Sequence, residues 1–174
     1  MAGPVVAAAV ALKTFRFKNR IDDSKKLTPL SREKAFQEIS EKADFAVGII
    51  DEKVIDRVNI LVATRMAMQE AVEKLVERIE NFTDFKAHIL VDGNMRLDFS
   101  LPYLSIIAGD AKSQSIAAAS IMAKVTRDRI MDGYDRIYPQ YGFIRHKGYP
   151  TSMHRMALKK FGPSDIHRRS FYGV

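Results

Sequence analysis

Apolar residues form short continuous runs that alternate with longer stretches of helical periodicity. Four runs are too short for helices and predict β-strands, at residues 4–12, 45–50, 87–91 and 104–107. Between and after them, apolar residues recur at helical spacing and predict α-helices over residues 30–42, from Asn59 to about Glu80, and over 115–130. Strands that alternate with helices are typical of α/β proteins, so we expect helices packed on a mixed β-sheet.

The first strand and the second helix predict how the core is built. Residues 4–12 are almost continuously apolar, which is typical of a strand covered on both faces. The helix beginning at Asn59 carries one apolar stripe, which we expect to pack in the core. Its members are Met68, Val72, Leu75 and Ile79. His88 alternates with apolar neighbours, which favours a buried core histidine over a metal ligand.

The helix predicted over 115–130 begins with side chains that are almost all small, from Ala117 to Ser120. Such a face allows the helix backbone to lie very close to a sheet or to a ligand. Asp110 precedes this helix, where a carboxylate often caps the free N–H groups of the first turn. The same position suits a carboxylate held at a functional site, so the sequence leaves both interpretations open.

Composition describes an ordinary globular protein. The 174 residues are enough for one domain with a real core, and 47% of them are apolar. No apolar run reaches the roughly 18 residues that a membrane-spanning helix requires. The chain has no cysteine, which excludes disulfides, thiolate metal sites and cysteine nucleophiles. The lack of cysteine also fits a cytoplasmic protein.

Positive charge is concentrated at the two ends of the chain. The formal net charge is +7, and residues 145–174 alone carry +6 while residues 1–27 carry +4. The middle of the chain therefore has a net negative charge. Clustered Lys and Arg gain affinity for a polyanion by releasing its counterions, so nucleic acid is the natural partner. A solvated basic surface without a partner explains the charge equally well.

Two carboxylates stand directly after predicted strands. Asp92 follows the strand at 87–91, and Asp110 follows the strand at 104–107 closely. Sites in α/β proteins form at the carboxyl ends of strands, where carboxylates can bind Mg²⁺ or Mn²⁺. A turn at Asp92 and a helix cap at Asp110 are the structural alternatives. Asp128 lies about 27 Å from Asp110 along a continuous helix, so we expect it in an ion pair instead.

Two polar segments suit contacts with nucleic acid. Basic and aromatic residues are interleaved over 138–151, where Tyr149 and Lys147 are the side chains best suited to stacking and to phosphate contact. An exposed turn over 21–27 offers Ser24 and a neighbouring lysine to a phosphate. The alternative for this turn is a simple entry into the next helix, since Thr28 and Pro29 form a good N-cap pair.

Taken together, the motifs resemble those of bacterial ribonuclease HII, the type 2 ribonuclease H family, over essentially the whole chain. The matching segments are AGPVVAAAV from Ala2, DSKKL from Asp23, NILxAT from Asn59, VDGN from Val91, GDAKSxSIAAASIxAKVTRDR from Gly109, YPxYGF from Tyr138, HKGYxT from His146 and IHRRSF from Ile166. Their common order makes the resemblance highly specific.

The resemblance implies a ribonuclease H-like α/β fold with a helical C-terminal segment. It implies one domain over 1–174, with an α/β core at 1–135 and a basic substrate-binding segment at 136–174. The implied activity is Mg²⁺- or Mn²⁺-dependent cleavage of RNA in RNA–DNA hybrids and at ribonucleotides embedded in DNA. Such cleavage leaves 3′-hydroxyl and 5′-phosphate ends and serves ribonucleotide removal in DNA replication and repair. A cytoplasmic monomer is expected.

The resemblance also assigns residues. Asp92 and Asp110 match two of the family's four metal-binding acids and are the expected catalytic residues. Tyr149 matches the tyrosine that senses the RNA–DNA junction, and Lys147 stands beside it in the same motif. Ser24 and Lys25 fall in a motif near substrate phosphates.

Three positions depart from the family pattern. Asp22 stands where Asn is usual, and Pro150 stands where Gly or Ala is common; both adjoin expected substrate contacts. Met1 stands where the family has the leucine of DEAG(R/K)GxLAGPVV. The other two metal-binding acids, the Gly-Arg/Lys-Gly segment that reads the 2′-hydroxyl and a first strand would all precede that leucine. A non-catalytic binder of hybrid duplexes is therefore the competing expectation.

We hypothesise that the codon of Met1 is a leucine codon usable as a start, such as UUG, and that the native reading frame begins upstream of it. The coding DNA is then expected to encode DEAG(R/K)G in frame just ahead of Met1. Sequencing of that region tests the hypothesis, and a stop codon within a few codons of Met1 would contradict it.

Overall fold

The structure is a computed structural model, and it describes residues 1–79, 87–99 and 101–174. The strands are β1 (Val5–Leu12), β2 (Ala43–Ile50), β3 (Ile89–Asp92) and β4 (Tyr103–Ile106). The helices are α1 (Pro29–Lys42), α2 (Glu52–Val58), α3 (Ile60–Arg78), α4 (Gln114–Ile137), α5 (Phe143–His146) and α6 (Ser152–Phe161), with 3₁₀ turns at Gly109–Ala111 and Pro139–Tyr141. The predicted α/β class is confirmed. The predicted helix end near Glu80 lies outside the described residues.

Capping side chains begin three helices, and two of these starts, at Thr28 and Asn59, are where the sequence predicted. The Thr28 hydroxyl accepts the Ser31 N–H at 3.1 Å at the start of α1, directly before Pro29. The Asn59 side chain accepts the N–H groups of the first turn of α3. Thr151 accepts the His154 N–H at 3.3 Å and begins α6. Each cap satisfies N–H groups that a helix start leaves without a partner.

The strands form two separate ribbons among the described residues, in place of one mixed sheet. β1 pairs antiparallel with β2, with Val5 opposite Ile50 and Leu12 opposite Ala43. β3 pairs in parallel with β4, with Ile89 opposite Tyr103. Parallel and antiparallel pairings are thus both present, but no ladder in the described part joins β1 to β3.

Helices cover both faces of the first ribbon. On one face, Ala8, Val10 and Leu12 of β1 pack against a cluster built from α1 and α4. On the other face, Gly48 lies against the α3 backbone at Ala67 so closely that an added Cβ would collide with the carbonyl oxygen. The small face of α4 packs as predicted, because Ala117 and Ala118 are fully buried.

A cavity of about 480 Å³ separates the two ribbons, and it corrects two predictions. All eight residues of β1 are half-buried, so the predicted full burial of this strand is wrong. The predicted core stripe of α3 lines this cavity, and Leu75 is its one buried member. His88 also lines the cavity and is exposed, so the prediction of a core histidine is wrong. In each case the residue faces the open space between the ribbons.

The C-terminal segment closes back onto the start of the chain through a second apolar cluster. This cluster contains Met1, Ala2, Met131, Tyr141, Phe143, Leu158 and Ile166. Ala2 forms a β-bridge with His167, and the buried Arg168 guanidinium donates to the carbonyls of Gly3 and Pro4. α4 continues to Ile137 and supplies Met131 to the cluster, so the helix connects the predicted core at 1–135 with the predicted segment at 136–174. This division of the domain stays a prediction.

Two buried histidines face each other inside this C-terminal cluster. The Nε2 atoms of His154 and His167 lie 2.9 Å apart, so one must carry a proton and the other must accept it. The ring of His154 also stacks on that of His146. Burial lowers the pKa of His154 and of His167 to about 4. Both are therefore neutral at pH 7.

No helix in the described ranges is long and apolar enough to cross a membrane. The longest of them, α4, carries charged residues from its middle onwards, among them Lys124, Arg127 and Arg129. Its length serves the contacts with β1 and with the C-terminal cluster.

The histidine pair predicts a specific loss of stability in mild acid. Unfolded histidine has a pKa of about 6.5, so the unfolded chain binds more protons than the folded chain between about pH 6.5 and 4. Stability is therefore fully present above about pH 6.5 and falls as the pH decreases towards 4. We expect a lower Tm at pH 5 than at pH 7.5 in differential scanning fluorimetry.

His167→Gln should reduce this pH-dependent change in Tm, because it removes one of the two buried titrating groups. His88→Gln, at an exposed position outside the cluster, should leave the change as in the wild type. An unaltered pH dependence in His167→Gln would contradict the assignment.

Candidate metal and nucleic-acid site

Asp92 ends β3 and is held by the segment that follows β4. Its Oδ1 atom accepts the Gly109 N–H at 2.8 Å, while the side chain remains exposed. The two strands lie in parallel, so their carboxyl ends meet at the same edge. The predicted convergence of the two strand ends is therefore present in the structure.

Asp110 lies in the 3₁₀ turn at Gly109–Ala111 and does not cap α4. The helix begins at Gln114, and the residue at its N-cap position is Ser113. Ala108 directs the chain into this turn from a left-handed conformation with φ 53°. Of the two interpretations that the sequence left open for Asp110, the helix cap is therefore wrong, and its carboxylate is not used in holding the helix start.

Gly109 keeps the two carboxylates close together. A Cβ atom on Gly109 would stand 2.6 Å from Cδ1 of Ile116 and 3.3 Å from Oδ1 of Asp92. Any larger residue would therefore collide with Ile116 of α4 and with the Asp92 side chain. The absence of a side chain lets the backbone N–H reach Asp92, which fixes the relative placement of the two aspartates.

Electrostatics at Asp110 disfavour its charged form. Partial burial raises the pKa of the Asp110 carboxyl above its ordinary value, and the charges of Asp23 and Asp92 raise it further. Lys25 and the Ala111 N–H oppose this effect. Three carboxylates and one lysine therefore share this end of the molecule. Excess negative charge of this kind attracts a cation.

The turn that contains Ser24 and Lys25 is attached to α4. Ser24 is buried, 4% exposed, and its hydroxyl lies 2.8 Å from the Ser120 hydroxyl on the small face of the helix. Arg32 donates to the Ser24 carbonyl from α1. Lys25 is exposed, as predicted for the turn, but the expectation of an exposed Ser24 is wrong. Ser24 is covered because residues distant in sequence meet it.

The carboxylates fit a hard divalent cation as a partial ligand set. Mg²⁺ is commonly bound through one or two carboxylates, with waters and substrate phosphates completing its shell. Asp92 and Asp110 offer oxygens of this kind, and burial together with the charges of Asp23 and Asp92 raises the pKa of the Asp110 carboxyl. Within the described ranges, no group of three His, Cys, Asp or Glu side chains has the spacing of a complete metal site.

Tyr149 presents its ring beside two cationic groups of α4. The side chain is half exposed, and Lys124 Nζ and the Arg127 guanidinium lie 5.4 and 5.0 Å from the ring centroid. Arg127 also donates to the carbonyls of Pro4 and Lys147. The ring is therefore anchored while one side stays open to a ligand. Lys124 and Arg127, which mark the position of the ring along α4, lie some 15–20 Å from Gln114 at a rise of 1.5 Å per residue.

The Lys147 ammonium is less available to a substrate phosphate than the sequence motif suggests. Its ammonium pairs with Asp132 of α4, and its backbone adopts a left-handed conformation with φ 50°. Gly148 next to it has φ 78°, and a Cβ there would stand 2.5 Å from the Ala2 carbonyl oxygen. These two residues build the sharp turn that presents Tyr149.

Three further residues adjoin the expected contacts. Asp22 pairs with Arg20, whose hydrogen bond lowers the pKa of the Asp22 carboxyl. Pro150 is exposed beside Tyr149. Asp128 pairs with Lys124 at 2.8 Å, which confirms the predicted ion pair and leaves Asp128 outside the carboxylate group.

Sequence reasoning missed Asp23, Lys124 and Arg127. The charge of Asp23 raises the pKa of the Asp110 carboxyl. Its position directly before Ser24, in the DSKKL motif, could have indicated it. Lys124 and Arg127 belong to the longest matching segment and face Tyr149 across the fold. Helical spacing could have placed them on one face, but it could not reveal the aromatic partner.

Known proteins resemble this chain in sequence and in fold. The family model of ribonuclease HII matches residues 1–174. The chain belongs to the ribonuclease HII family. It is 51% identical to a ribonuclease HII of Geobacter sulfurreducens over 175 residues, covering 100% of this chain and 77% of the relative. It is 54% identical to a ribonuclease HII of Ruminiclostridium cellulolyticum over 173 residues, covering 98% of this chain and 65% of the relative.

Solved structures match the fold. The ribonuclease HII chain of an Archaeoglobus fulgidus complex with PCNA superposes with a TM-score of 0.73, at 22% identity, over 96% of this chain and 87% of the other. Ribonuclease H2 of Pyrococcus horikoshii gives a TM-score of 0.66, at 21% identity, over 97% and 94%. These likenesses show that the ribonucleases and this chain share one architecture.

Replacing Asp110 tests the charge balance of the site. Asp110→Asn removes a charge that burial and two carboxylates disfavour, so we expect a small rise in Tm at pH 7.5 in EDTA. The penalty exists above the raised pKa and disappears in acid, so the gain should vanish at low pH. Mn²⁺ should raise the Tm of the wild type more than that of Asp110→Asn.

Asp128→Asn is the matched control, because it removes an aspartate of α4 that already has a lysine partner. It should not stabilise the protein, and it should keep the wild-type response to Mn²⁺. A lower Tm for Asp110→Asn in EDTA would show that the carboxylate is not destabilising.

Proposed function

We propose that this chain carries the metal-dependent endoribonuclease activity of its family, acting on RNA in RNA–DNA hybrids and at ribonucleotides embedded in DNA. The observation that carries the proposal is the placement of Asp92 and Asp110, which Gly109 holds together at one end of the second ribbon. The raised pKa of Asp110 supports a site for a cation there. Family membership supports the type of reaction.

Asp92 and Asp110 are the residues that would hold Mg²⁺ or Mn²⁺. The bound ion would supply a positive charge for the scissile phosphate and lower the pKa of a water that attacks it. Asp92 is oriented by the Gly109 N–H, which leaves its second oxygen free for ligation. Lys25, which already interacts with Asp110, can neutralise a neighbouring phosphate. The expected products carry 3′-hydroxyl and 5′-phosphate ends.

The substrate would extend along α4, from the carboxylates to Tyr149. Tyr149 would stack on a sugar or base at the RNA–DNA junction, with Lys124 and Arg127 beside it to meet phosphates. Ser24, buried on Ser120, would position Lys25 and offer its backbone to a phosphate. Lys147 would act mainly through its turn, because its ammonium is paired. The formal charge of +7 supports a polyanionic substrate.

A non-catalytic binder of hybrid duplexes is the second candidate. It is favoured by the fact that Asp92 and Asp110 lack a third close ligating side chain in the described part of the chain. The chain also spans 65–77% of the two relatives named above, so the activity of those whole proteins is not transferred to it automatically. The cytoplasmic location, the monomeric state and the role in replication and repair remain proposals as well.

A cleavage assay on a labelled duplex with one ribonucleotide separates the candidates. We expect weak, Mn²⁺- or Mg²⁺-dependent cleavage on the 5′ side of the ribonucleotide, and none of an all-DNA duplex. Asp92→Asn and Asp110→Asn should each reduce the rate about 100-fold or more, because even residues that only support metal ligands cost 10–100-fold. Asp128→Asn is the control and should retain the wild-type rate.

Binding measured in parallel identifies the second candidate. Affinity that falls steeply with salt, in the absence of any cleavage, would establish a binder in place of an enzyme. Tyr149→Ala should weaken binding more than Tyr149→Phe, which keeps the ring. Full cleavage activity in either carboxylate variant would show that the catalytic site lies elsewhere.

A further inference from the structure

Three of the four histidines of the chain lie together in the C-terminal cluster, next to the turn that presents Tyr149. His146, His154 and His167 are 6%, 0% and 1% exposed. Burial of a polar ring costs free energy unless its nitrogen atoms find hydrogen-bond partners. Phenylalanine rings would fill such a space without that requirement. The presence of three histidines therefore points to a role for their nitrogen atoms.

The hydrogen-bond partners of His154 and His167 decide which ring nitrogen carries the proton. The Tyr149 carbonyl can only accept, so Nδ1 of His154, 3.0 Å away, carries the proton and donates to it. Nε2 of His154 is then an acceptor, and Nε2 of His167, 2.9 Å away, is the donor. Nδ1 of His167 in turn accepts the Ser164 N–H at 2.9 Å. These three bonds form one relay that runs from Ser164 to the backbone of Tyr149.

The backbone of Tyr149 is held on both sides. Its N–H donates to the His146 carbonyl at 2.8 Å, and its carbonyl accepts the Thr151 N–H at 2.8 Å as well as the His154 ring. Two donors use both lone pairs of this carbonyl oxygen and fix the plane of the peptide group. Pro150, which follows, has no N–H and a fixed φ. These contacts together set the Cα–Cβ direction of Tyr149, and therefore the place from which its ring extends.

The His154 ring is itself held in one orientation by its neighbours. It stacks on the His146 ring, with 4.5 Å between the centroids and an angle of 14° between the planes. Phe143 meets it edge to face, with 5.4 Å between the centroids. The His146 ring is fixed in the same way, because Nδ1 accepts the Gly148 N–H and Nε2 donates to the Tyr141 carbonyl. A donor held this firmly fixes the position of its acceptor, as the support of a binding residue requires.

We propose that His154, oriented by His167, is a positioning residue for Tyr149, and that its Nδ1–H sets the direction in which the tyrosine ring meets nucleic acid. His154 is fully buried, so it touches no substrate and acts through the Tyr149 carbonyl. The inference rests on the nucleic-acid contact proposed above for Tyr149. It adds that this contact depends on a proton held on one particular ring nitrogen.

The proton positions are tested on the wild type, without nucleic acid or metal. Long-range ¹H–¹⁵N correlation spectra of protein labelled with ¹⁵N-histidine distinguish a protonated ring nitrogen from an unprotonated one, and the signals lost in His154→Asn identify its ring. At pH 7.5 we expect the proton on Nδ1 of His154 and on Nε2 of His146 and His167. A His154 ring protonated on Nε2, or exchanging between the two forms, would overturn the proposal.

Two substitutions separate the hydrogen bond of His154 from its packing. His154→Phe keeps a ring and removes the donor, while His154→Asn keeps an amide donor near the position of Nδ1 and loses the ring. Binding to a labelled duplex with one ribonucleotide is followed by anisotropy in EDTA, which prevents metal-dependent cleavage. We expect about 10-fold weaker binding for His154→Phe and a loss of no more than about 3-fold for His154→Asn. A role in packing alone predicts the reverse order, because Asn leaves a cavity.

A double-mutant cycle tests whether His154 acts through the tyrosine. In a Tyr149→Ala background, His154→Phe should weaken binding by less than about 2-fold, because the ring that it positions is gone. Leu158→Ala is the control, since it truncates a buried residue of the same cluster that has no hydrogen-bonding side chain. It should lower the Tm and bind the duplex as the wild type does.

Four binding results would overturn the proposal. They are the reverse order of the two His154 variants, equal weakening by His154→Phe with and without the Tyr149 ring, weaker binding by Leu158→Ala, and wild-type binding by Tyr149→Ala. The last result would also remove the proposed contact of Tyr149 with nucleic acid. Neither the spectra nor the binding requires cleavage, so an inactive chain that shows the expected coupling would contradict the nuclease activity alone.

Discussion

The packing of α4 is the constraint on which the rest of the molecule depends. Ala117 and Ala118 bring its first half against β1, and Met131 carries its second half into the C-terminal cluster. Small side chains are necessary there, since a larger residue would push the helix away from the strand. The same helix bears the Ser120 that holds Ser24 and the Arg127 that holds Tyr149. Its placement therefore sets the distance between the carboxylates and the aromatic contact.

The arrangement of the aspartates at the candidate site opposes the stability of the fold. Asp92 is fixed by the Gly109 N–H, and Asp110 is held near Asp92 and Asp23 although burial and both charges disfavour its ionised form. Ala108 adds a left-handed backbone conformation that a residue with a Cβ adopts at a cost. Strain and repulsion of this kind persist where the surrounding structure fixes the geometry, and they are common at functional sites.

Sequence patterns predicted the elements well because those patterns are local. The alternation of apolar runs located β1 and α3, and the caps at Thr28 and Asn59 follow from one side chain and the turn after it. The errors concern contacts between distant residues. Ser24 is buried by Ser120, 96 residues away. Asp110 leaves the helix start because Gly109, before it, bonds to Asp92. No local pattern contains that information.

The apolar pattern of β1 predicted a strand buried on both faces, but in the structure its residues are only half-buried. This mismatch is informative, because a pattern records the environment in which the residues are stable. Val6, Val10 and the α3 residues Met68 and Val72 are apolar in a space that the described chain leaves open. A polar lining would be expected if water normally filled it.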